Sequence, residues 1–518
     1  MSLLRAAGTI GVLTLASRIA GFARDMLLAR LLGAGMAADA FNLAFKLPNI
    51  FRRLFAEGAF SAAFVPAYSQ QLREGGPAGA RRFASDVLGV FLPVLLLVTA
   101  LAQVAMPALV WVMNGGGAFR AIPGKFELAV ELTRLTFPYL LFISLTALLG
   151  GILNGLSRFA AAAAAPILLN LCLIGALLLV HDGEIMTSRA LGIAVSLAGM
   201  AQFLWLLAAC ARAGAAPRLG WPRLSPAVRR LGRAILPATF GAGIYQVSQF
   251  VDLFFASRLP QGSLSYLNYA DRLNQLPLGV VGIAVGTAIL PALSRHLAED
   301  NAAAAQDLHN RAVELALLLT VPAAVALMLC ATPITEAIYL GGRFSADDAL
   351  WTARTLAALA AGLPAYVLLK VLTPGFYARA DTATPMRVAA GALLLNILLN
   401  LLLIGPFKVA GLAMATAIAA WVNCVALAVI LHRRGHYRTD VRLKRHVARI
   451  LLAAAVMAVV VWLTCLGLRD WFSGPATGRI AAVAVLLAAG LASYFGVAIR
   501  LGVVSGADLA GRFRRQRP

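Results

Sequence analysis

Eleven stretches of the chain run at least 18 residues without one charged side chain: 87–119, 137–157, 159–180, 190–211, 234–251, 273–294, 315–335, 388–407, 409–431, 450–468 and 480–499. About 20 apolar residues are needed for a helix to cross a bilayer, so each run is a predicted membrane span. In lipid the backbone must satisfy its own hydrogen bonds, and helices of this length do so. The runs fill most of the 518 residues and leave no room for a sizeable domain outside the membrane. Three weaker spans carry charges, at about 8–30, 37–68 and 346–378, the last holding Lys370. The fold class is therefore all-α and polytopic, with about fourteen transmembrane helices.

Composition agrees. Hydrophobic residues make up 61% and charged residues 13%, with a mean hydropathy of +0.82, which argues against a soluble enzyme. Cys172, Cys210, Cys330, Cys424 and Cys465 lie in apolar surroundings without a CxxC pair and read as packing residues rather than a disulfide framework or zinc site. The first apolar run is interrupted by Arg18, Arg24 and Asp25, unlike a cleavable signal, so the amino terminus is expected to be retained.

The net charge of +23 would suggest nucleic acid in a soluble protein, but a membrane protein distributes basic residues by topology. With the amino terminus in the cytoplasm, alternate connections hold 27 Lys+Arg on the cytoplasmic side against 9 on the other. That excess supports cytoplasmic amino and carboxyl termini in a bacterial inner membrane. The basic runs 229–233 and 442–449 then face anionic lipid headgroups, and no nucleic-acid partner is required.

The chain also repeats. Ala38-Asp39-x-Phe41-Asn42, Leu47-Pro48 and Pro66-Ala67-Tyr68-Ser69 are followed in the same order by Ala270-Asp271-x-Leu273-Asn274, Leu276-Pro277 and Pro291-Ala292-Leu293-Ser294. Asp25 and Ala29 are answered by Asp252 and Ala256, and Leu169-Asn170 by Leu399-Asn400. Two six-span units of like orientation are implied, the parallel-repeat arrangement of transporters. The expected division is an N-lobe at 1–215 with a cationic cavity and a C-lobe at 226–435. Spans 13 and 14 follow at 446–502, then a basic cytoplasmic tail at 503–518.

Charge inside a membrane costs roughly 2.5–3.5 kcal/mol per Arg or Asp at a helix centre, so it usually has a task. It concentrates in the first two spans, as Arg18, Arg24, Asp25, Asp39, Lys46, Arg52, Arg53 and Glu57, with Asp252, Asp271 and Arg272 in the matching pair. A guanidinium stays charged when desolvated and takes phosphate oxygens two at a time. The arginines therefore suit a cavity for a phosphate or diphosphate. The competing reading is inter-helix pairing with Asp25, Asp39 and Glu57, although three acids cannot neutralise five bases. Asp39 and Asp271 are expected to orient arginines. Gly21 either bends the first helix or admits a ligand to its backbone.

Asp252 and Asp381 are weak candidates for a metal cation, against plain salt bridges with Arg258 or Arg379; Lys370 is a further counter-charge. All six histidines are expected in connections, and no GxxxxGK[ST] loop occurs, so enzyme signals are thin. Gly282-x-x-x-Gly286 fits close helix packing.

The block Arg18-Ile-Ala-Gly-Phe-Ala-Arg24-Asp25, with Phe45-Lys46-Leu-Pro-Asn49 and Arg52-Arg53-Leu-Phe-Ala-Glu57, resembles the MurJ (MviN) family. Tyr269-Ala-Asp271-Arg272, Pro374-Gly-Phe-Tyr-Ala-Arg379-Ala-Asp381 and Asn400-Leu-Leu-Leu-Ile-Gly-Pro406 agree. The resemblance implies a lipid II flippase of peptidoglycan synthesis, in the multidrug/oligosaccharidyl-lipid/polysaccharide exporter superfamily. It implies alternating access, a groove for the polyprenyl tail in the last two helices, and diphosphate binding by Arg18, Arg24, Arg52 and Arg272. Asp25, Asp39, Lys46, Asn49, Glu57 and Asp271 join the expected substrate site. Members often carry Glu where Gln275 stands here. No cofactor is implied; coupling to a sodium ion or to membrane potential stays open, as do cell-wall synthases as partners. An exporter of drugs or of another polyprenyl-linked saccharide would share the fold, and a membrane-embedded transferase is the more distant rival.

Overall fold

The computed structural model describes residues 3–52, 59–114, 117–180 and 182–503, without the side chains of 3–7, 51, 52, 59, 62, 118, 236–246, 280, 281 and 283–288. The described chain is helical almost throughout. In order come α1 (Leu3–Leu32), α2 (Met36–Arg52), α3 (Ala59–Asn114), α4 (Gly117–Arg120), α5 (Lys125–Thr136), α6 (Tyr139–Gly155), α7 (Ala160–Leu179), α8 (Glu184–Arg212) and α9 (Pro226–Ala256). Then follow α10 (Ser263–Ala298), α11 (Ala302–Leu329), α12 (Ala331–Tyr339), α13 (Ala346–Ala361), α14 (Leu363–Tyr377), α15 (Ala383–Arg433), α16 (Val441–Gly467), α17 (Arg469–Phe472) and α18 (Ala476–Arg500).

Among the described residues, the predicted spans fall almost entirely on helix. Among the described residues nine helical segments are long and apolar enough to cross a membrane, against the fourteen spans expected. Part of the difference is physical: α15 joins the runs 388–407 and 409–431 across a break at Lys408, whose φ of 50° is left-handed. The charged α1 and α2 are not among the nine. Large apolar side chains such as Val104, Leu179 and Leu394 point outward, 81%, 83% and 69% exposed, as lipid-facing residues do.

Two compact units form, one ending at Ser265 with residues 342–344 added, the other holding the remainder. In the first, α1 packs on α7, α7 and α6 on α8, α2 on α5, and α3 on α6 and α9. Its core contains an aromatic column, with Phe60 stacked on Phe64 at 5.2 Å and on Phe91 at 5.1 Å, and Phe64 stacked on Tyr68 at 5.8 Å. Gly151 and Gly155 of α6 make room for this column: a Cβ at either would lie 2.7 Å from Phe64 or 2.6 Å from Tyr68. The second unit packs α11 against α14 and α16, α14 and α13 against α15, and α16 against α18. There Gly282 faces the side chain of Lys370, whose Nζ lies 2.8 Å from where a Cβ would be; the glycine accommodates a cationic side chain.

Candidate functional site

Arg24 of α1 is held by its neighbour Asp25 and by Asn170 of α7. Arg24, with a side chain 7% exposed, donates from Nε and Nη2 to Oδ1 of Asp25 at 3.0 and 2.6 Å. Its Nη1 donates to Asn170 Oδ1 at 3.0 Å, and the guanidinium carbon lies 5.8 Å from the centre of the Phe45 ring. Asn170 in turn donates from Nδ2 to the carbonyl of Ser17 at 2.9 Å. Gly21 faces this amide, 3.5 Å from the position a Cβ would take, so the space beside α1 admits Asn170. A guanidinium has five N–H donors, and three are directed at oxygen acceptors here. Chemically this is an oxygen cradle around a buried cation.

Arg18 is half-buried on the same helix and enters none of these bonds. Lys46 and Asn49 are half-buried on α2. The side chain of Arg52, and Arg53 and Glu57 altogether, lie outside the described residues. In the second unit Asp271 and Arg272 are half-buried on α10, and Asp271 Oδ2 accepts from Gln275 Nε2.

Asp39 differs from expectation. It is 1% exposed, and its partner is a lysine, not an arginine: Lys125 Nζ donates to Oδ2 at 2.8 Å. The backbone N–H of Gly262 also reaches Oδ2 at 2.9 Å, while the N–H and hydroxyl of Ser265 reach Oδ1 at 3.1 and 2.8 Å. Four donors satisfy the carboxylate and tie α2 to α5 and to the start of α10. Lys125, expected in an outer connection, is 2% exposed at the start of α5, with the Phe119 ring centre 4.6 Å from its ammonium. A helix that begins before the uncharged run carries this lysine into the fold.

Asp381 pairs with Arg434, at 2.6 Å, rather than with Arg258 or Arg379, and accepts from the N–H of Thr384 at 2.9 Å. These bonds, led by those from Thr384, hold its carboxyl well below the usual carboxylate range. Asp252 is half-buried on α9. Among the described residues no three His, Cys, Asp or Glu side chains gather as a metal centre would need. His309 and His446 are buried inside α11 and α16 instead of lying in connections, because both helices begin before their uncharged runs; His446 Nδ1 meets Glu314 Oε1 at 2.5 Å.

Sequence reasoning passed over Asn170, although the repeat contained it; an amide in an uncharged run must find a partner, and that was the available signal. Its repeat equivalent Asn400 donates to Asn396 Oδ1 at 3.1 Å, and Asn396 donates to Thr416 Oγ1 at 3.4 Å. The Oδ1 atom of Asn400 is buried without a hydrogen-bond partner.

Residues 28–475 match the family model described as lipid II flippase MurJ. The chain belongs to the MurJ family. It is 42% identical to the probable lipid II flippase MurJ of Rhizobium tropici, over 100% of this chain and 98% of that protein. It is 36% identical to the lipid II flippase MurJ of Burkholderia cenocepacia, over 96% of this chain and 97% of that one. A solved MurJ structure, in an inward closed conformation, superposes with a TM-score of 0.78 at 26% identity and covers 95% of this chain and 98% of its own. An inward-facing multidrug transporter of the MATE family shares the fold alone, with a TM-score of 0.65 at 15% identity over 83% of this chain. MurJ membership makes the chain a multi-pass membrane transporter, not an enzyme, as the first-span arginine block implied.

Proposed function

We propose that the chain carries lipid II, a polyprenyl-diphosphate-linked sugar-peptide, from the cytoplasmic to the outer leaflet of the inner membrane by alternating access. The relatives named lipid II flippases support the substrate. The observation that carries the diphosphate assignment is the Arg24 cradle: a buried guanidinium with three donor nitrogens already directed at two oxygen atoms, which is the contact a phosphate group offers. Arg18, Arg52 and Arg272, together with Lys46 and Asn49, are the further headgroup residues that the family resemblance assigns. Asp25 and Asn170 hold Arg24 until the headgroup arrives. The polyprenyl chain stays in lipid along spans 13 and 14, and no bond is made or broken.

Arg24→Ala and Arg52→Ala test the assignment in cells depleted of their own flippase. Loss of growth and of outward lipid II accessibility is expected from each; wild-type growth from both overturns the site. Membrane potential, worth about 2.3 kcal/mol per charge per 100 mV, drives the return of the empty cationic carrier. A sodium ion is the second reading, favoured by the buried oxygens of Asn396 and Asn400 and the half-buried hydroxyl of Thr416, since hard cations take several oxygens. Replacing sodium with potassium at constant potential separates the two: unchanged transport excludes sodium coupling. Cell-wall synthases, which consume the translocated lipid, are the partner class this reading implies.

A further inference from the structure

Between α8 and α9 the chain runs through residues 213–225 without regular structure, yet it is fixed at several points. Ala215 is buried in the core that also holds Phe83, Ala84 and Val87 of α3, and Val228 and Leu231 of α9 close the same core from the other side. Arg81 of α3 donates to the carbonyl of Gly214, and the N–H of Arg218 donates to Ser85 Oγ at 2.9 Å. Further along, the carbonyl oxygens of Gly220 and Trp221 lie 3.0 and 3.3 Å from where a Cβ of Gly89 would be. Only a glycine admits a backbone so near. The segment thus lies along α3 from Arg81 to Gly89.

The side chains this segment turns outward are large and apolar. Leu219 is 71% exposed, Trp221 89% and Leu224 60%. Exposed arginines surround them at positions 212, 218, 223, 229, 230 and 233, and no Asp or Glu occurs between Glu184 and Asp252. An exposed apolar group flanked by arginines is costly in water and marks a contact surface. Its level is given by α3: the uncharged run begins at Val87, so the loop beside Gly89 sits where that helix enters hydrocarbon. An indole at such a level has its apolar body toward acyl chains and its N–H toward headgroups, and arginine forks match lipid phosphates.

We propose that residues 214–225 form an interfacial anchor: Leu219, Trp221 and Leu224 seat at the headgroup–acyl boundary, and the flanking arginines hold anionic phospholipids there. Because the fold already fixes the loop, little ordering is lost when lipid binds.

The test uses the full-length protein in phosphatidylcholine vesicles containing a fixed fraction of phosphatidylglycerol, with bromine on the acyl chains of one lipid or the other. The emission of Trp221 is taken as the difference between wild type and Trp221→Phe, a conservative change at an exposed position. Quenching about two-fold or more stronger from brominated phosphatidylglycerol than from brominated phosphatidylcholine is expected. Arg218→Gln/Arg223→Gln should keep the quenching and bring the two lipids closer together. Equal quenching by both lipids in the wild type overturns the anionic preference. A water-exposed emission untouched by either lipid overturns the anchor and leaves this face to a soluble protein partner.

Discussion

At the scale of single residues, Asp39 is a carboxylate whose surroundings are set by the fold rather than by a ligand. Its neutral amide counterpart would present a second N–H group to donors already there and leave the Lys125 ammonium buried without its counter-charge. Asp39→Asn should cost about 3–5 kcal/mol, read as a lowered thermal midpoint in detergent. Asp39→Asn/Lys125→Met should recover much of the loss; a double variant as unstable as the single would contradict the pairing. Asp381 carries a pH dependence. With its carboxyl held below the ordinary range, the folded state binds the proton less readily than the unfolded chain, so the contribution is complete at neutral pH. It is lost only as pH falls below about 4, through strong acid. Asp381→Asn should flatten the acid limb of a thermal-midpoint profile and leave its shape near pH 7 unchanged. None of these partners was legible in the sequence: Lys125 lies 86 positions from Asp39, and Arg434 lies 53 from Asp381. The types of the charged residues could be read, but their pairing depends on which helices become neighbours.

Helices were the legible scale. Uncharged runs placed the helices, although α5, α11 and α16 begin before them, and the described residues of those runs are almost all helical. What periodicity could not show is how the helices meet. Gly151 and Gly155 recur at the four-residue spacing of close helix packing, and each receives a ring from α3. A methyl group at Gly151 would have to displace Phe64, which is 0% exposed and stacked on Phe60, Tyr68 and Phe83. Gly151→Ala is therefore expected to destabilise by about 1–3 kcal/mol, and Gly151→Ala/Phe64→Leu less, as measured by the fraction surviving heating on size-exclusion chromatography. The same change at Gly175, which has open space around it, should be silent.

For the whole molecule the basic residues yield a topology. Once the five native cysteines are replaced, Thr439→Cys should react with an impermeant thiol reagent only from the cytoplasmic side, and Ser473→Cys only from outside; both positions are exposed. Labelling of the two from one side would break the orientation drawn from the charge count. The excess of +23 divides accordingly: most of it lies in connections, while Arg24 of α1 sits where Asn170 of α7 can hold it. That second group was legible as unusual, because arginine is costly in an apolar helix. Its arrangement was not, because Asn170 is distant in the chain from Arg24.

Under the proposed function, the Arg24 cradle would turn recognition into a substitution reaction. A diphosphate reaching this guanidinium would displace Asp25 and Asn170 rather than fill an empty coordination shell, so the net free energy of capture would be the small difference between two similar sets of oxygens. Release is eased by the same resident acceptors, which are at hand to take the cation back. For a carrier, whose turnover depends on letting go as much as on holding, such a built-in competitor would keep affinity modest.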